Sequence, residues 1–221
     1  MGQYWIVVNL SRGRFANPHD FETGAKLLEF GLRTKGVAPS LIAALVARRG
    51  LWTGERIVVT GDYDGDHEGF MSVFLKATGA ADGAARDLDA RNLYRACSAM
   101  PSRAATGDLQ AALRNEAAAA AGSPPRWFVN EDKMELVDLN DPYLLASVMR
   151  KEDILDRARF TNAAAPPPRV GLAVVALLAR SSGGGGGDLD HPCVGRWAGD
   201  RVRIVAHRPR GSYTDVTAKL D

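Results

Sequence analysis

The sequence predicts an α/β (α+β) protein built from two related hairpin–helix–helix–strand units that share one mainly antiparallel sheet flanked by helices. Three observations predict it. Short β-branched and aromatic runs such as "YWIVVNL" (4–10) and "RWFVNEDKMELVDL" (126–139) read as strands and hairpins. Apolar stretches with helical spacing follow each of them. A pattern also recurs at one constant offset: Trp52, Gly54, Glu55, Arg56 and Ile57 correspond to Trp197, Gly199, Asp200, Arg201 and Val202. We read these tryptophans, glycines and arginines as a structural motif, the tryptophans covering the start of a strand and the arginines pairing with a carboxylate or capping carbonyls.

In the first unit "SRGR" supplies a glycine turn, and "FANP" returns as the second hairpin arm until Pro18 stops it. Leu27, Leu28 and Phe30 then form the apolar stripe of one helix. Leu41, Ile42, Leu45 and Val46 form that of a second, with Pro39 early in it and Gly50 as its expected stop. "GERIVVTGDYDGD" reads as a strand running into an acidic loop. In the second unit Trp127 and Asn130 echo Trp5 and Asn9. "DPYLLASVMRKEDILDRARF" is expected to be an amphipathic helix and "PRVGLAVVALLARSS" a buried one, before the strand in "GRWAGDRVRIVAHR". Asn9 and Asn130, each ending a strand, suit hydrogen bonds to their own turns.

The intervening "FMSVFLKATG", "ARNLYRACSAM" and "DLQAALRNEAAAAAG" all favour helix, the last through alanine propensity. The expected division is 1–122, the first unit with a helical extension, and 123–221, the second unit with a glycine-rich loop at 181–190. Five consecutive glycines in that loop read as a flexible linker, since each loses much backbone entropy on ordering and no P-loop lysine follows.

Composition narrows the function classes. The 221 residues carry 28 basic and 26 acidic side chains, a balance that gives no strong nucleic-acid signal, although 196–210 is locally positive. Cys97 and Cys193 are far apart, which fits a reducing compartment and an intracellular, cytoplasmic protein. No H-E-x-x-H occurs, and "HPC" (191–193) lacks a second cysteine for a zinc site. No secretory leader is read at the N-terminus, and the longest apolar run, 170–179, is about half a membrane span. A soluble chain without membrane contact is expected. The oligomeric state and any protein partner are not legible.

The acidic loop "TGDYDGDHEG" (60–69) is the one candidate for chemistry. Asp62, Asp64 and Asp66 alternate, with Gly65 permitting an unusual turn, and three such carboxylates can converge on Mg²⁺ or Ca²⁺. The competing reading is a set of solvated charges at a strand end, and it is the one we prefer. On the constant offset the second unit has His207, Pro209 and Gly211 there, so the fold itself does not require the acids. An EF-hand is excluded by His67 at its glycine position and Val73 at its glutamate position. His67 and Glu68 read as surface residues.

Two resemblances bear on this. "MGQYWIVVNL", "NPHDF", "GRWAGDR" and "VTGDYD" resemble a family of small uncharacterised proteins that open M-G-Q-Y-[WY]-x-[VI]-V-N-L, continue through a P-H pair and carry G-R-W-A-G-D-R-I shortly before G-D-Y. Here that pattern is divided between the halves: "GRWAGDR" (195–201) precedes "VRIVAHRPR", while the G-D-Y ending follows "LWTGER". The resemblance implies a domain identity and no activity. D-x-D-G-D also resembles the metal loop of the large double-barrel RNA polymerases, but it covers five residues of a chain far too short for two barrels. The expectation is therefore a binding or structural-interaction protein without cofactor and with no identifiable catalytic function. The alternative is a divalent-metal-dependent phosphoryl or nucleotidyl transfer enzyme that uses Asp62, Asp64 and Asp66.

Overall fold

Seven strands form one sheet in the order β2-β1-β3-β6-β4-β5-β7. They are β1 (Trp5–Asn9), β2 (Arg14–Ala16), β3 (Glu55–Gly61), β4 (Trp127–Asn130), β5 (Glu135–Asp138), β6 (Arg201–Val205) and β7 (Thr214–Asp215). The computed structural model describes residues 3–33, 35–46, 50–65, 69–79, 92–118, 126–146, 148, 168–183 and 189–220. Every pairing between these strands is antiparallel except β5 with β7. The expected α+β class with a shared, mainly antiparallel sheet is what the chain adopts. β3 and β6, the strands that follow Trp52 and Trp197, lie side by side at its centre.

Six helices stand among the described residues: α1 (Leu27–Gly31), α2 (Val37–Leu45), α3 (Phe70–Thr78), α4 (Leu93–Ser98), α5 (Thr106–Ala118) and α6 (Pro168–Leu178). One face of the sheet carries the main core. Trp5, Val7, Ile57, Val59, Phe128, Val137, Val202 and Ile204 are buried there with residues of α2 and α6. α2 is buried along its whole length, and Pro39 sits in its first turn, where a missing N–H costs nothing. It ends at Leu45, short of the expected Gly50, because Val46 turns extended (φ −64°, ψ 121°) and bridges to Ile204. Most of the predicted helix over 141–160 and glycines 184–187 of the 181–190 loop lie outside the described residues.

The opposite face differs between the halves. Ile6, Val8, Phe15 and Val58 are buried beneath Met71, Phe74, Leu93 and Cys97 of α3 and α4. Around Trp127, Val129 and Leu136 the partly buried apolar neighbours are Val205 and Tyr213. The Arg126 and Arg208 guanidinium carbons lie 5.1 Å and 5.2 Å from the Trp127 ring centroid. β3 accordingly is buried without interruption from Ile57 to Gly61, whereas β6 alternates arginine with valine and isoleucine.

The pairing registers of the halves coincide. Val7 faces Ala16 and Val59, and Phe128 faces Val137 and Ile204; Asn9 faces Arg14 and Ile57, and Asn130 faces Glu135 and Val202. Asn130 thus occupies the place of Asn9. Trp127 occupies that of Ile6, not of Trp5, because Trp127 stands three positions before Asn130 and Trp5 four positions before Asn9. In a strand, one residue is a change of face, so Trp5 lies in the main core and Trp127 on the other side.

The junction is reciprocal. Gly54 N donates to Val202 O and Gly199 N to Ile57 O, both at 2.8 Å. Both glycines have positive φ (73° and 78°), which a side chain would strain. Val46 after α2 bridges to Ile204, and Ala179 after α6 bridges to Val59. Trp52 and Trp197 are 2% and 0% exposed. Arg56 and Arg201 face each other, and both pair with Asp132, at 3.0 Å and 2.7 Å. Arg56 also donates to Gly199 O.

Candidate functional site

The acidic loop begins where β3 ends. The β1–β3 pairing continues one step past Trp5 and Gly61: Asp62 N donates to Tyr4 O at 2.9 Å, and Tyr4 N donates to Asp62 Oδ1 at 3.0 Å. The chain then turns back on itself. Asp64 N donates to Gly61 O, and Gly61 N donates to Asp64 Oδ2 at 2.8 Å.

Asp64 is not a solvated charge. It is 7% exposed, and four donors converge on its two oxygens. Oδ1 accepts from Gln3 Nε2 at 2.9 Å and from Ser181 Oγ at 2.6 Å. Oδ2 accepts from Gly61 N and from Thr60 Oγ1, the latter at 3.2 Å. A buried carboxylate is tolerated only when its lone pairs are used, and this environment uses them. Gly61 leaves room for Gln3: a Cβ there would lie 1.8 Å from Gln3 Nε2 and would displace that side chain from Asp64. Asn92 completes the arrangement. Its Nδ2 donates to the carbonyls of Asp62 and Asp64, each at 3.0 Å, and its Oδ1 caps α4 by accepting from Arg95 N.

Asp62 is half-buried and lies near aromatic residues. Tyr4 is 45% exposed and Tyr63 59%. The Tyr4 and His19 rings lie 5.8 Å apart. The Tyr94 phenol is pushed up from its ordinary range, first by burial and then by the charge of Asp62. Asp66, His67 and Glu68 lie outside the described residues. Among the described residues, no three His, Cys, Asp or Glu side chains could hold a metal ion. Of the three sequence-predicted ligands, the structure describes two: Asp62, with one oxygen bonded to the Tyr4 backbone, and Asp64, with both oxygens engaged by other partners.

Gln3, Asn92 and Ser181 carry the loop, yet sequence reading missed them. Gln3 is a polar residue directly before an apolar strand, a weak signal. Asn92 and Ser181 reach the loop from 28 and 117 residues away, and nothing local marks them.

Several second-unit acids are held differently, by cations. Glu131 pairs with Arg203, Glu135 with Arg196, Asp138 with Arg126 and Asp200 with Lys133. Neither cysteine is poised for chemistry. Burial pushes the Cys193 thiol up to about 12, although His191 Nδ1 lies 2.9 Å from its sulfur. Burial pushes Cys97 higher still.

No family model, curated protein or solved structure matches this chain in the three comparisons made. The resemblance of the N-terminal and G-R-W-A-G-D-R motifs therefore rests on those residues alone. Among the described residues no helix is long and apolar enough to cross a membrane.

Proposed function

We propose that the protein is a non-catalytic binding or structural-interaction module, and that its acidic loop anchors the fold instead of holding a catalytic ion. The observation that carries this reading is the saturation of Asp64. A divalent cation taking either oxygen would have to displace hydrogen bonds from Gln3, Ser181, Thr60 or Gly61. Hard cations favour several freely available oxygen ligands, and of the described acids of the loop only Asp62 keeps a carboxylate oxygen without a hydrogen-bond donor. Equilibrium dialysis of the full chain against Mn²⁺ or Ca²⁺ tests the reading. The expected result is no stoichiometric uptake. Uptake of one ion per chain, lost in Asp62→Asn, would favour the metal-dependent transferase instead.

The reading extends to the architecture. The two hairpin-and-strand units are copies of one ancestral unit, and the chain is a fused, two-fold-related pair. Support comes from the coincident registers, from the reciprocal Gly54 and Gly199 hydrogen bonds and from the exchanged bridges of Val46 and Ala179. An experimental structure in which β1–β2–β3 does not superpose on β4–β5–β6 would contradict it.

A further inference from the structure

We propose that the surface formed by Tyr4, His19, Asp62, Tyr63 and Tyr94 is a docking site for an arginine-bearing segment of a partner protein. This rests on the binding-module reading and names the chemistry its partner must present. Two independent observations meet here. The first is unbalanced charge: none of the ion pairs found among the described residues involves Asp62 or Asp64. The four donors around Asp64 are neutral, so they satisfy its geometry and leave its charge. Glu131, Asp132, Glu135, Asp138 and Asp200 by contrast all have an arginine or lysine.

The second observation is aromatic surface beside that charge. Tyr4, whose backbone N–H donates to Asp62, and Tyr63, next to Asp62 in the chain, are both exposed. His19 lies against Tyr4, and Tyr94 is close enough for the Asp62 charge to oppose its ionisation. Tyrosine faces attract cations through their quadrupole. Asp62 Oδ1 is taken by Tyr4 N, which leaves Oδ2 as the acceptor for an incoming donor. A guanidinium suits this better than an ammonium, because its planar fork can donate to the carboxylate while its face stacks on a ring.

Calorimetric titration of the full chain with an N-acetylated hexa-arginine amide at low salt tests the proposal, with hexa-lysine, MgCl₂ and three variants as arms. Asp62→Asn keeps an amide oxygen for Tyr4 N, and Tyr63→Ser removes an exposed ring, so both should fold. Asp215→Asn, on β7 at the far edge of the sheet, controls for net charge. The expected result is saturable arginine-peptide binding, weakened about fivefold or more by Asp62→Asn and by Tyr63→Ser and unchanged by Asp215→Asn. Hexa-lysine is expected to bind more weakly than hexa-arginine. Equal affinity of the wild type and Asp62→Asn would overturn the proposal, as would equal affinity for the two peptides. Saturable Mg²⁺ binding lost in Asp62→Asn would overturn both this proposal and the non-catalytic reading; loss of the arginine preference alone would overturn only this one.

Discussion

The Ser181 hydroxyl donates to the Asp64 carboxylate at 2.6 Å. It ties the segment after α6, in the second half of the chain, to the loop after β3 in the first. Asp64→Asn would turn an amide N–H₂ toward at least one of four donors, leaving that donor buried and unpaired. The expected loss is about 1–3 kcal/mol of unfolding free energy, and Ser181→Ala is expected to cost about 1 kcal/mol. Urea denaturation midpoints measure both. Had Asp64 been a solvated strand end, Asp64→Asn would have been neutral.

Met134 offers a test in the opposite direction. It has φ 53° at the hairpin position where the first unit has Gly13 with φ 58°. A Cβ on Gly13 would lie 2.8 Å from Thr78 of α3, so only glycine fits there. Met134 is 41% exposed, and its backbone bears the strain of a left-handed side-chain residue. Met134→Gly is expected to raise stability by up to about 1 kcal/mol, read from the same denaturation midpoint.

Acid should loosen the second unit. Burial opposes the ionisation of Asp132, but hydrogen bonds from Arg201 and the charges of Arg56 and Arg201 outweigh it and hold the carboxyl below its ordinary range. Glu135 is likewise opposed by burial and held down by Arg196 and Trp197. A depressed folded-state pKa contributes stability above the unfolded value, about 4 for these groups, and that contribution is lost as pH falls through the folded value. Unfolding midpoints followed downward from neutral pH should therefore fall less steeply below about pH 4 in Asp132→Asn and Glu135→Gln than in the wild type.

Thiol chemistry gives a separate check. Cys97 is 0% exposed and Cys193 2%, and burial raises both thiols. The thiolate is the reactive species. Ellman's reagent at mildly alkaline pH should find essentially no reactive thiol in the native chain and both after denaturation. Rapid reaction of Cys193 in the native state would mean that His191 activates it.

Much of this fold was legible because its signals are local. The runs at 5–9, 55–61 and 127–130 are strands because β-branched and aromatic residues bounded by turn residues leave few alternatives. The repeated Trp-x-Gly-acid-Arg stretch marked the two central strands, and its glycines make the reciprocal hydrogen bonds of the junction. The equivalence of Trp5 and Trp127 failed by one residue, since composition alone does not fix a strand's face. The end of α2 was misplaced because Val46 answers to Ile204, which lies far along the chain. The acidic loop was located correctly and its environment was not. A D-x-D-G-D string looks hydrophilic, while the partners that bury Asp64 are supplied by Gln3 and Ser181, 61 and 117 residues distant.

Thermal unfolding of the wild type and Asp64→Asn across a Mg²⁺ and Ca²⁺ series at constant ionic strength tests the central claim most directly. Binding to the native state alone would raise Tm in a saturable way. The anchoring role of Asp64 predicts no saturable rise in either protein and a lower Tm for Asp64→Asn without metal, by about 2–4 °C per kcal/mol lost. A saturable, ion-specific rise in the wild type that disappears in Asp64→Asn would contradict it.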